Sequence, residues 1–585
     1  MAQPLQSINL VAPAFKGINT EDSPLQQDPS FADVADNCVI DKRGRIAARQ
    51  GVNTLTTNNT DLGADNYLTK VHYYFVDGIG GAEEVISAGN NKIFSGTSTL
   101  SDITPGGYSI TTNNWKIVNF NDKAYLFQRG YDPLVYDEAS SPKLRTFSTV
   151  NSNTTPAAFK CNEVLAAYGR LWIAGSDNDN QTVYWSDLLI GNSFTGGSTG
   201  SINLAKVWPD GADKVVALAA HNNTLIIFGE HSIVVYIGAS EPSTMQLADT
   251  VAGVGCVDRD SVQHIGTDVL FLSYSGLRSI GRVIQEKSLP ISDLSGTIKT
   301  ELIESIRQET LPLASIYSPE NSFYLLTFLS QDITYCFDLK GALENGSYRV
   351  TRWPSSLFKS FDRKLDGTLY VGTVGGLATY TGYDDNDSSY RFRYYSPSLT
   401  YGDSSKTKML KKMVPTIIGG ANSAVSLFWA YDFSEEYSSQ VITVGDASEA
   451  TAFYGVSEYI TIGSLGSYSI TSSFINGVWV VNNYLGEFAT APTVGSGGGA
   501  ILDGDSYQNT VNGIFYVSIS AVWTDITTLT VTGNFEYTSG TLTSRLKINT
   551  TGSGSTVVIG VEADINGSPL SLQEINTQAL IGKIV

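Results

Sequence analysis

Residues 222–238 read NNTLIIFGEHSIVVYIG, and the order of residue types in that stretch decides the fold. Two asparagines, which tolerate tight-turn geometry, open it. A run of β-branched and aromatic residues follows, breaks at Gly229-Glu230-His231, and resumes to Tyr236. Short apolar runs bounded by turn residues are strand signals, and two in succession mark a hairpin. Glu230 and His231 also interrupt the apolar stretch Leu225 to Ile237, so it does not suit a membrane span.

The same pattern recurs through the first two thirds of the chain. Asn90-Asn91 precedes KIFSG, Asn121-Asp122 precedes KAYLFQRGYDPLVY, and Gly169-Arg170 precedes LWIAG. Further on, Gly266-Thr267-Asp268 precedes VLFLSYSGLRSI, Glu320-Asn321 precedes SFYLLTF, and Asp366-Gly367 precedes TLYVGTVGGLATY. From Asn91 to Gly367 the average interval is about 46 residues, the length of a propeller blade too thin to bury its own faces without neighbours. The fold class expected is all-β: a β-propeller of six or seven irregular blades over residues 65–400. A series of β-sandwiches is the competing architecture.

One segment follows helical spacing instead. In ISDLSGTIKTELIESIRQ the apolar residues Ile291, Leu294, Ile298, Leu302, Ile303 and Ile306 share a face, predicting a helix at about 291–308 with Asp293 as N-cap. Residues 1–64, rich in Asp, Asn and Gln, read as an extended arm that packs on another domain or subunit. Residues 401–585 read as one or two acidic β-sandwich-like domains, with short β runs such as GVWVV, IFYVSISAVW and TLTVTGNFEY between turns such as GSGGGA and TGSGST.

Composition narrows the function. The 585 residues carry 37 Lys and Arg against 57 Asp and Glu, a net charge of −20. From residue 421 onward only Arg545, Lys547 and Lys583 offset fourteen carboxylates. Such a surface repels phosphate, whereas nucleic-acid binding needs clustered cations that displace counterions. The run Lys406, Lys408, Lys411 and Lys412 lacks interleaved aromatics and reads as a solvated strand edge or an interface. Cys38, Cys161, Cys256 and Cys336 are far apart and read as buried free thiols, while the N-terminus does not resemble a secretory signal.

No catalytic motif emerges, and no enzymatic activity or cofactor is expected. His72, His221, His231 and His264 show no metal-ligand spacing, and the nucleophile-elbow, phosphate-loop and dinucleotide fingerprints are missing. Asp177 and Asp179, with Trp185 beyond them, faintly resemble a sialidase turn, but Asn178 and Asn180 stand where Asp and Gly belong. Asp384-Asp385-Asn386-Asp387 offers hard oxygen atoms without the central Gly and distal Glu of a calcium loop, and reads as a loop closing the last blade.

Several ordered segments carry a resemblance. Lys16-Gly17-Ile18-Asn19-Thr20, Asp36-Asn37, Gly44-Arg45-Ile46 and Arg49-Gln50-Gly51 open the chain; GVGCVDRDSVQHIGTDVLFLSYSGLRSI and then Ile291-Ser292-Asp293 lie mid-chain; LQEINTQALIGKIV closes it. In this order they resemble the tail nozzle proteins of short-tailed bacteriophages, also called tail tubular protein B, although Lys583 stands where the family's pattern has Arg and residues 421–570 match least. The resemblance implies a structural virion protein: a homo-oligomeric ring of six below the head-tail adaptor, assembled in the host cytoplasm, anchoring tail fibres or spikes and surrounding the genomic DNA during ejection. It gives Gly17, Asn19, Asn37, Gly44, Arg45, Arg49, Gly51 and Asp293 as the motif and assembly residues. The alternative is a carbohydrate-binding or glycan-degrading propeller, such as a tail-associated depolymerase.

Overall fold

The computed structural model describes residues 5–584, apart from 12–13, 77–80, 151–158, 287–292, 421–422, 445–472, 476–477, 481–483, 495–499, 503–504, 513–514, 520–521, 526–542 and 546. Ile291 and Ser292, most of GSGGGA and all of TLTVTGNFEY therefore lie outside the described residues.

Seven antiparallel sheets follow one another along the chain. Their first strands are Lys70–Phe75, Lys116–Phe120, Cys161–Ala167, Val215–His221, Gln263–His264, Ala314–Ser318 and Ser360–Arg363. These first strands or their approaches abut in chain order, and Ser360–Arg363 returns against Lys70–Phe75, which closes a ring. The fold is a seven-bladed β-propeller. The polar pairs that mark the repeat are the tight turns between antiparallel strands: Asn121-Asp122 and Asn222-Asn223 have positive φ at both residues, as hairpins of matching twist require. Asn90-Asn91 instead joins the second and third strands of blade 1, one strand late, which shortens the first interval of the repeat.

No blade has a core of its own. Trp172, Val183 and Trp185 of blade 3 pack against Leu218, Ile227 and Tyr236 of blade 4, and Tyr74, Ile86 and Ile93 of blade 1 against Ile117, Leu126 and Tyr136 of blade 2. Among the described residues blade 5 has three strands; after Gly276–Ser279 the chain leaves as helix Ile280–Glu286 and re-enters through helix Lys299–Gln308, whose Leu302 and Ile306 are buried. Asp293 is not the N-cap of that helix. Ile298 occupies that position without a side-chain cap, and the Asp293 carboxylate instead accepts from the Ser295 N–H and Oγ, one turn upstream. The apolar spacing runs on through Leu294 and Ile298 because both are buried in that preceding turn.

Blade 7 is completed from the far end of the chain. Its outer strand is Val52–Thr54, paired with Gly376–Tyr380 in the register Tyr380↔Val52, Thr379↔Asn53 and Ala378↔Thr54. The N-terminal segment thus packs within its own chain. Outside the ring lies a platform built from both ends of the sequence. One of its sheets combines Leu5–Leu10, Cys38–Ile40, Ile46–Ala48, Lys406–Gly419 and Leu570–Ile584; the other continues blade 6 through Val34–Asp36 into Tyr390–Tyr395, Val557–Ile565, Ala424–Tyr431 and Ser438–Thr443. The two sheets share a core that includes Leu410, Ile417, Leu427, Val561 and Leu572. A smaller four-stranded sheet, from Tyr484–Phe488 to Val522–Asp525, is inserted in the platform and packs Tyr507 against Trp523 at 4.8 Å between ring centroids.

The lysine run is no solvated edge. Lys406–Gly419 is hydrogen-bonded on one side to Leu570–Ile584 and on the other to Thr543–Arg545 and Ile548–Asn549. Lys408 is fully buried, its ammonium donating to the carbonyl oxygens of Asp403 and Ser555, and burial pulls its pKa down. Among the described residues no helix is long and apolar enough to cross a membrane.

Completion of blade 7 by a three-residue strand gives a test. A chain lacking residues 1–56 is expected to unfold more than about 10 °C below the full chain, since one blade interface and its core are opened together. It should also be cut by protease between residues 364 and 380; calorimetry and limited proteolysis read both effects.

Candidate functional site

Two places combine buried charge with convergence of distant segments. The first is the junction of propeller and platform. Arg49 is 0% exposed. Its Nη1 and Nη2 donate to Asp385 Oδ1 and Oδ2 at 3.0 and 2.6 Å, its Nε donates to Asn37 Oδ1 at 2.9 Å, and Nη1 also donates to the Gln50 carbonyl at 2.8 Å. The guanidinium lies 4.1 Å from the Tyr390 ring centroid and 5.2 Å from that of Phe358. A bidentate carboxylate with aromatic faces is the environment in which a guanidinium tolerates burial.

The motif residues arrange themselves around the same seam. Asn37, at φ +55°, donates its N–H to the Arg352 carbonyl and its Nδ2–H to the Arg391 carbonyl. At Gly51 a Cβ would stand 1.7 Å from the Asp384 carbonyl oxygen, so only glycine fits. Gly17, at φ +90°, passes the backbone of Val350 so closely that a Cβ would lie 2.6 Å from its nitrogen. Gly44 and Arg45 turn the hairpin between Cys38–Ile40 and Ile46–Ala48, with Arg45 Nε on Asp41 Oδ2 at 2.6 Å, and the Gly44 carbonyl accepts from Phe15. Asn19 Oδ1 accepts from the N–H groups of Glu21 and Asp22, and Asp293 reaches the seam by its carbonyl, which accepts from Ser347 Oγ. Gly17, Asn37 and Asp293 thus meet the strand Tyr348–Pro354 or its approach, and Arg49 joins that line through Asn37. Asp385 and Tyr390, which complete the site, carry no sequence signal beyond an acidic loop and an aromatic strand.

That acidic loop does close the last blade. Asp385 Oδ1 also accepts from the Val52 N–H, and Asn386 Oδ1 from the Thr54 N–H. Both Asp385 oxygens serve Arg49, and among the described residues no group of three or more His, Cys, Asp or Glu is placed to hold a metal. Asp179 is consumed by its own turn, accepting from Gln181, Thr182 and Tyr184. All four cysteines are buried, and burial pushes the Cys256 thiol up to about 12.

The second place is the propeller axis. Lys116 of blade 2 lies 3.4 Å from Asp260, which precedes blade 5. Blades 2 and 5 are not neighbours in a ring of seven, so that contact crosses the axis. The 3-10 turn Arg259–Ser261 fills the tunnel: Arg259 Nη2 donates to the Asn114 carbonyl at 2.7 Å, Nη1 to Asn162 Oδ1 at 3.0 Å, and Lys70 of blade 1 donates to Asp260 Oδ1 at 3.0 Å. Burial alone would raise the Asp260 carboxyl, but Lys70, Lys116 and Arg259 outweigh it and hold it far below the ordinary range. Glu163 of blade 3 faces the same cations. There burial dominates, and its carboxyl is pushed up to about 7. At the opposite end, where inner strands finish, His221 Nδ1 and His264 Nε2 share a hydrogen bond of 3.0 Å.

No family model and no curated protein matches the chain. Among solved structures, the BT4673 extracellular domain from B. thetaiotaomicron aligns with a TM-score of 0.38 and 11% identity, over 80% of this chain and 57% of that one. The Neurospora crassa Pan2 WD40 domain aligns at 0.32 with 9% identity, over 57% and 94%, and the WD40 propeller of Doa1 at 0.25 with 13%, over 45% and 90%. The propeller assignment rests on the chain's own strand order rather than on these overlays.

Both clusters can be tested. Arg49→Ala leaves Asp385 buried without its partner, and a loss of about 3–5 kcal/mol is expected in urea unfolding. At Glu163 the folded pKa lies above the ordinary 4.5, so its contribution to stability is complete below 4.5 and is lost as pH rises through about 7. Glu163→Gln should therefore flatten the fall in stability between pH 4.5 and 7, by roughly 1–3 kcal/mol over the window.

Proposed function

We propose that the chain is a structural subunit of the tail nozzle of a short-tailed bacteriophage. One observation carries the reading: of the residues that resemble that family, Gly17, Asn37, Arg49, Gly51 and Asp293 lie along the seam where the N-terminal segment, blades 6 and 7 and the platform join, and the closing strand pairs with Ile46–Ala48 beside it, while the mid-chain segment forms blade 5. Residues such as Gly17, Asn37, Arg49 and Gly51 are held there by geometry that few other residue types satisfy, so the likeness rests on positions with an architectural reason.

The charge distribution suits that role. A net charge of −20 over 585 residues makes a wall that repels the DNA backbone and lets it slide, where a basic wall would hold it. Because Arg259 and its partners plug the propeller's own tunnel, the genome's path in this reading runs between copies of the chain arranged in a ring, not through any one propeller. The platform, continuous with blade 6, presents a rigid surface to neighbouring copies, to the adaptor and to fibres. The mechanism is assembly and gating, in which propeller loops or the acidic inserted region narrow the shared channel until fibres engage a host.

Purified full-length chain, imaged by negative stain, is expected to form six-fold rings, and the same chain is expected in purified tails. A strictly monomeric protein that is missing from virions sinks the reading.

A further inference from the structure

At the boundary between blades 4 and 5 two histidines bridge the gap. His221 ends the inner strand Val215–His221 of blade 4, and His264 ends the inner strand Gln263–His264 of blade 5. Their ring centroids lie 5.1 Å apart, and His221 Nδ1 and His264 Nε2 share the 3.0 Å hydrogen bond where solvent reaches the pair. Beside them lies a cavity of 480 Å3, walled by Ile226 and Val235 of blade 4 and by Ile280 and Ile284 of helix Ile280–Glu286.

The neighbours fix the protons. Gly266 donates its N–H to His264 Nδ1 at 3.2 Å, so that nitrogen keeps its lone pair and the ring proton sits on Nε2. Nε2–H is then the donor of the bridge, and His221 Nδ1 the acceptor. His221 Nε2, which carries the proton of its own ring, lies 2.9 Å from the Asn222 amide, whose oxygen a half-turn brings to it. This pattern holds only while both rings are neutral. A proton added at His264 Nδ1 displaces the Gly266 N–H, and one added at His221 Nδ1 sets donor against donor. With both rings charged, two cations stand at hydrogen-bond distance.

Little around the pair offsets such charge. The Asp268 carboxylate faces it from blade 5 but already accepts from the N–H groups of Val269 and Gly281, and Arg282 of the helix brings a further cation to the cavity wall. Burial and the neighbouring His221 outweigh Asp268 and hold the His264 imidazole below its ordinary 6.5. The stability that His264 contributes is therefore complete above 6.5 and is lost as pH falls through its lower folded value. We propose that His221 and His264 form a proton-sensitive latch between blades 4 and 5, closed while both rings are neutral and released by acid, so that the turns carrying them part beside the cavity. The latch belongs to the propeller alone and stands whether or not the chain is a nozzle subunit.

The test uses the full-length chain with 13C-labelled histidine, in which His72, His221, His231 and His264 give the ring signals and single His→Gln variants assign them. In His221→Gln the titration midpoint of His264 is expected to rise by about half a pH unit, because one of the two influences that lower it is gone. Amide exchange, corrected for its intrinsic dependence on pH, is expected to quicken about fivefold in residues 215–237 and 263–286 of the unaltered chain on going from about pH 7.5 to pH 5, and to be fast already at the higher pH in His221→Gln. The proposal is overturned if the His264 midpoint stays in place in His221→Gln, or if exchange at this boundary in the unaltered chain is the same at both pH values. Should His221→Gln fail to fold, His264→Gln decides by exchange: fast exchange at both pH values supports the latch, and a remaining pH-dependent rise overturns it.

Discussion

A fully buried guanidinium cannot exist without its counter-charge, and the rest of this molecule is arranged so that Arg49 has one. Its partner, Asp385, lies 336 residues away in sequence, between Gly376–Tyr380 of the last blade and the platform strand Tyr390–Tyr395. Holding the two together fixes the N-terminal segment against blade 7, sets the register of Val52–Thr54, and places Tyr390 over the guanidinium face. Desolvating such a pair is costly, and its loss on one side only is costlier still, so the interaction acts less as a source of stability than as a constraint on which arrangement of the segments is admissible.

The architecture was largely legible from residue order, because a turn must have turn residues. Asn121-Asp122 and Asn222-Asn223 stand where both backbone positions are left-handed, and the runs after them are strands for the reason that made them readable: β-branched and aromatic side chains face the neighbouring blade. Legibility failed where periodicity and chemistry diverge. The apolar spacing around residue 300 continues through a buried turn before the helix begins, so Asp293 looked like a cap it does not form. Lys408 looked solvated because lysines usually are, but carbonyl oxygens of two loops replace the water around its ammonium. The motif positions could be named from resemblance, yet that they share a seam depends on register between strands hundreds of residues apart, which no local pattern encodes.

The axis was invisible for the same reason. Arg259 and Asp260 occupy a short turn with no period, and Lys70, Lys116 and Glu163 alternate with core residues like any half-buried strand. Only closure of the ring brings them within a few ångströms, and closure then creates the plug. The turn ties blades 1, 2 and 3 to the approach of blade 5 across the axis.

Nesting the propeller inside the platform orders the protein's birth. Val52–Thr54 leaves the ribosome long before Gly376–Tyr380 is made, and Leu5–Leu10 must wait still longer for Leu570–Ile584. Two orphan strand edges are therefore carried through most of translation, each a template for unwanted pairing. The many Asp, Asn and Gln residues of the first sixty read in this light as insurance for a segment that spends its early life unpartnered. Leu570–Ile584 lies between Ile46–Ala48 and Lys406–Gly419, so until it is made both of those strands keep a bare edge on that side.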